Sequence, residues 1–111
     1  MNLGKSIQSL RKRRGLTQEA LAEKAGLSRP SLSQIENNSA RPERDTLKRI
    51  CEALEVTESL LYVYSFEKED VPASKRSIYE AYFPLIQEMI QKFATEGTGP
   101  AETGDQKPEA R

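Results

Sequence analysis

Apolar residues recur along the first two thirds of the chain at the spacing of short helices. Leu3, Ile7 and Leu10 fall at i, i+4 and i+7 and predict a first helix from about Leu3 to Arg14, closed by Gly15. Thr17 is placed to cap a second helix, Gln18 to Ala25, with Leu21 and Ala22 facing inward. Gly26 can take the positive φ that a tight inter-helix turn needs, and Leu27 can pin that turn to the core. Ser28 then caps a third helix, where Pro30 is tolerated because first-turn amides have no intrahelical bond to lose. Leu32 and Ile35 are its inward positions, which leaves Arg29, Pro30, Ser33, Gln34 and Asn37 facing outward.

Residues 37–42 carry turn chemistry, and a fourth helix follows from about Glu43 to Leu54 with Leu47, Ile50, Cys51 and Leu54 buried. Thr57 can cap a short fifth helix bearing Leu60 and Leu61. Residues 60–66 are too apolar to be solvated; they cover the core's underside or pair with a second copy. Residues 67–74 read as a charged linker. Ser77 and Glu80 have capping-box spacing, and a broad apolar stripe then runs from Tyr79 to Phe93. Pro84 predicts two turns followed by a separate, longer helix rather than one straight one. From Thr95 onward no apolar residue exceeds alanine in size, so 95–111 is expected to be a disordered tail. The organisation expected is a domain over 1–66, a linker over 67–74, a helical extension over 75–94 and the tail.

Composition sharpens this picture chiefly through charge. Lys plus Arg and Asp plus Glu balance at 17 each over 111 residues. Residues 1–49, however, hold eleven basic against five acidic residues, a net of +6, and residues 50–111 carry the compensating −6. That asymmetry suits a first half that meets a polyanion. With no histidine and one cysteine, a Cys/His metal site has no ligand set and no disulfide forms within the chain. Cys51 reads as a small buried hydrophobe. No signal peptide and no run of ~20 apolar residues is seen, which gives a cytoplasmic expectation. No acid pair, nucleophile motif or phosphate loop supports an enzyme, and no cofactor is implied.

The outward face of the third helix has hydrogen-bonding side chains suited to base edges. Arg29 on its first turn can donate twice to guanine, Gln34 can pair with adenine, Ser33 lies on the same face, and Pro30 can touch a thymine methyl. Gln18, at the start of the second helix, is placed to bind phosphate together with free backbone amides. Ser28, Asn37, Arg41, Arg13 and Arg14 are further phosphate candidates.

Gln18, Leu21, Ala22, Gly26, Leu27, Ser28, Leu32, Ser33, Ile35 and Glu36, followed by Arg41-Pro42 and Thr46-Leu47, resemble the Cro/repressor-type helix-turn-helix family, also called XRE. The resemblance covers residues 3–61. It implies an all-α fold: a five-helix lambda-repressor-like domain, here with a C-terminal amphipathic helical extension. It also implies operator DNA bound as a two-fold dimer, a backbone contact by the glutamine at position 18, and an ion pair between Arg11 and Glu36. The function expected is a sequence-specific regulator of transcription, a repressor on an inverted repeat.

The C-terminal stripe has no counterpart in the minimal family domain. Tyr82, Leu85, Ile86, Met89, Ile90 and Phe93 are assigned to homodimerisation. The alternatives are packing on the chain's own domain, or docking a protein partner as an antitoxin does.

Overall fold

The computed structural model describes residues 1–93, all of whose regular structure is helical. Five helices, α1 (Leu3–Arg13), α2 (Gln18–Ala25), α3 (Arg29–Glu36), α4 (Arg44–Leu54) and α5 (Glu58–Tyr64), precede two 3-10 turns, Lys68–Asp70 and Ala73–Lys75. A sixth, α6 (Arg76–Gln91), closes the described chain. The expected tail, 95–111, and residue 94 of the expected extension lie outside the described residues.

One three-residue phrase punctuates the domain. Gly15-Leu16-Thr17, Gly26-Leu27-Ser28 and Glu55-Val56-Thr57 each put a left-handed residue, then an apolar one, then a hydroxyl cap. The N–H groups of Leu16, Leu27 and Val56 donate to Arg11, Ala22 and Cys51 carbonyls at 2.8–3.0 Å, the closing bond of a Schellman motif. Those three apolar side chains pack on the core. The next residue's hydroxyl then accepts from a first-turn amide: Thr17 from Ala20, Ser28 from Ser31, Thr57 from Leu60. Each phrase thus ends one helix, pins the turn and starts the next. Only Glu55 takes its left-handed φ, 61°, with a β-carbon.

The core draws on every helix, from Ile7 and Leu10 through Leu21, Leu32, Ile50, Leu54 and Leu61 to Ile90. Cys51 lies within it; burial first, then the charges of Glu58 and Glu52, push its thiol up to about 11. Gly4 is where α1 meets the end of α3. A β-carbon there would stand 2.6 Å from the Glu36 carbonyl and 2.7 Å from Asn38 Oδ1. Asn38, at φ 64°, accepts from the Gly4 amide and donates to Asn2 Oδ1, which also caps α1 through Lys5 N–H.

The second half departs from expectation in two ways, both at α6. α6 is one helix through Pro84, not two. Pro84 is exposed, so the Glu80 carbonyl that it leaves without an intrahelical donor lies on the solvent side. Ser77 does not cap α6, because the helix starts at Arg76 and the preceding 3-10 turn supplies the Ala73 carbonyl to the Arg76 amide. The stretch before α6 contains the 3-10 turns Lys68–Asp70 and Ala73–Lys75, and Arg76 Nε donates to the Val71 carbonyl between them at 3.2 Å.

Candidate nucleic-acid interface

The site rests on a buried ion pair. Arg11 of α1 donates from Nε to Glu36 Oε2 at 2.8 Å and from Nη2 to Oε1 at 3.2 Å. Its third nitrogen, Nη1, donates to the Leu16 carbonyl at 2.8 Å. Both side chains are more than nine-tenths buried. Glu36 sits at the end of α3, where an unpaired carboxylate would oppose an approaching polyanion. The guanidinium neutralises it and joins α3 to α1.

From Glu36 the network runs to the surface. Gln18 Nε2 donates to Glu36 Oε1 at 3.0 Å, which turns the Gln18 carbonyl oxygen outward. That oxygen accepts from Arg29 Nε at 3.4 Å, a long bond that leaves the terminal guanidinium nitrogens unused by it. Gln18 is the first residue of α2 and Arg29 the first of α3, so one relay ties the starts of both helices to the core. Arg29, Pro30 and Gln34 are exposed and Ser33 is half-buried on the same helix. Apart from Glu36, α3 carries no acid. An α-helix with its side chains is ~10–12 Å across, a fit to the ~12 Å width of the DNA major groove.

The remaining candidates divide. Asn37 Oδ1 accepts from Ser39 N–H at 2.9 Å, and the side chain stays exposed at the end of α3. Arg41 is exposed in the next loop. Ser28 is exposed, but its hydroxyl accepts from Ser31 N–H and donates to Ser31 Oγ. Arg14 turns to the end of α4, reaching Glu55 Oε1 at 3.3 Å. Arg13 stands beside the Tyr64 hydroxyl. Burial pushes that phenol up, but hydrogen bonds to Ser9, Gln91 and Arg13 outweigh it and hold its pKa below the usual tyrosine value. Sequence reasoning missed Asn2, Gly4 and Ser31. Only Asn2, as an N-cap residue before an apolar stripe, carried a legible signal.

Of the residues assigned to dimerisation, Ile90 is corrected: it is 7% exposed and packs in the chain's own core. Phe83, on the same edge of α6, is buried against Phe66 and Tyr79, at ring-centroid distances of 5.7 and 4.6 Å. Tyr82, Leu85, Ile86, Met89 and Phe93 stay exposed. Among the described residues there is no cluster of metal-ligating side chains and no helix long and apolar enough to cross a membrane.

This geometry agrees with the comparisons. A helix-turn-helix family model matches residues 7–61. The chain is 31% identical over 98 residues to the HTH-type transcriptional regulator ImmR of Bacillus subtilis, covering 88% of this chain and 72% of that one. It is 43% identical over 61 residues to the immunity repressor protein of Bacillus phage phi105, covering 55% and 42%. An uncharacterised HTH-type transcriptional regulator of Mycobacterium tuberculosis is 40% identical over 60 residues, covering 54% and 43%. The chain thus spans less than half the length of the mycobacterial and phage relatives it matches. No solved structure matches it.

Proposed function

We propose a function from one premise: the chain belongs to the XRE-type helix-turn-helix family. It is a sequence-specific double-stranded DNA-binding regulator of transcription that acts as a repressor. α3 enters the major groove, where Arg29, Pro30, Ser33 and Gln34 read base edges. Gln18, Asn37 and Arg41 hold phosphates on either side. Ser28, Arg13 and Arg14 have protein partners in the structure and are secondary to them. Two copies act on an inverted repeat, with recognition helices about 34 Å apart.

The observation that carries this reading is the relay from Arg11 through Glu36 and Gln18 to Arg29. It cancels the one acidic charge on α3 and aims an arginine from the first turn of an otherwise exposed helix. The names of the relatives, regulators and a phage immunity repressor, support the regulatory part.

Selection of bound sequences from a random DNA pool supplies the site for the test. Arg29→Ala is expected to weaken that site about 5- to 150-fold, from ~1–3 kcal/mol of base discrimination, with a much smaller effect on random DNA. Gln18→Ala is expected to weaken both alike and to make the salt dependence shallower. Equal losses on both DNAs for Arg29→Ala would overturn the base-reading role.

A further inference from the structure

The two edges of α6 differ in what covers them. Phe83 and Ile90 face the chain's own domain and are 7% exposed. Ile78, Tyr82, Leu85 and Met89 are 51–63% exposed, with Ile86 and Phe93 alongside. Their spacings of four, three and four residues cover three helical turns, so the stripe runs straight along the helix.

We propose that this stripe is the interface with a second copy of the chain, packed as an antiparallel helix pair about a two-fold axis near Pro84. In that register Ile78 lies opposite Met89, and Tyr82 opposite Leu85. Every large side chain of the stripe's centre then meets another. Glu80 and Gln87 lie about half a turn from the stripe, on the side of α6 away from this seam.

The area is sufficient. Six half-exposed large side chains offer ~600 Å² per copy, from the 150–250 Å² of a whole aromatic, or ~1,200 Å² in all. That reaches the lower bound of stable protein interfaces, about 1,200 Å². Residues 94–111 carry no apolar side chain larger than those of alanine and proline. The inference builds on the two-copy reading above and supplies its surface.

Sedimentation of the full chain tests it without DNA. The protein is expected to run as a dimer at micromolar concentration. Leu85→Glu and Tyr82→Glu, both at exposed positions, should run as monomers with unchanged helical circular dichroism. A wild-type monomer throughout that range, which would leave the stripe to a different protein, overturns the proposal; so does a Leu85→Glu dimer. Oxidising a mixture of Tyr82→Cys and Leu85→Cys chains should yield chiefly the mixed disulfide dimer. Self-linked dimers alone would overturn the antiparallel register. A wild-type dimer without DNA selectivity sinks the function proposed above and leaves this surface standing. A monomer that still selects DNA does the reverse.

Discussion

Glu36 is a buried carboxylate on the helix proposed to meet phosphates, and its surroundings make that position tolerable. Removing a charge from water is offset only when its partner and hydrogen bonds are complete. Here Arg11 gives two bonds and Gln18 a third. Glu36→Ala would leave Arg11 buried without its counter-charge and is expected to lower stability by about 3–5 kcal/mol in denaturant unfolding. Replacing both, with Arg11→Met and Glu36→Leu, is expected to restore most of that loss. DNA affinity should stay reduced in the double variant, because Gln18 then has no anchor; full recovery of binding would show that the relay does not aim Arg29.

At the scale of elements, the recurring left-handed, apolar, hydroxyl phrase sets where three helices stop and restart. Gly26 carries the phrase between α2 and α3 at φ 71°. A β-carbon there meets nothing within 4 Å, so the effect of Gly26→Ala is conformational strain alone. The expected cost is about 1–2 kcal/mol, read as a lower denaturant midpoint with unchanged slope. A larger loss with a changed slope would mean that the turn also shapes the core. Gly4 differs from Gly26, since it is set by the approach of α1 to the carbonyls of α3 rather than by φ. No local pattern marks such a position. Pro84 misled for the related reason that helix continuity depends on which side of α6 faces solvent.

Over the whole molecule, α6 is joined to the domain rather than tethered to it. Phe83 stacks on Tyr79 and meets Phe66 at a tilt, Ile90 reaches the core, and Gln91 Nε2 donates to the Tyr64 hydroxyl at 3.1 Å. Phe83→Ala is therefore expected to cost about 3–5 kcal/mol. The loss should appear in one cooperative transition, with amide exchange in α6 and α5 accelerating together. Exchange faster in α6 alone would show that the helix opens independently. With two copies paired through α6 as proposed, this attachment would also fix the distance between the recognition helices, so base-pair insertions between half-sites should abolish tight binding.

The sequence alone determined the helices of the first domain, their caps at Thr17, Ser28 and Thr57, the inward stripes and the outward face of α3. These follow from interactions within a few residues, where periodicity, hydroxyl caps and glycine carry the physics. Only the tertiary structure decided what depends on residues far apart in the chain. It closed Gly4 against α3, joined Gln18 and Arg29 through Glu36, and drew Arg14 to Glu55. It also divided α6, whose stripe is apolar on both edges: Phe83 and Ile90 went to the core, while Tyr82, Leu85 and Met89 stayed outside. Periodicity states that a face is apolar; what that face meets is settled by where the rest of the chain lies.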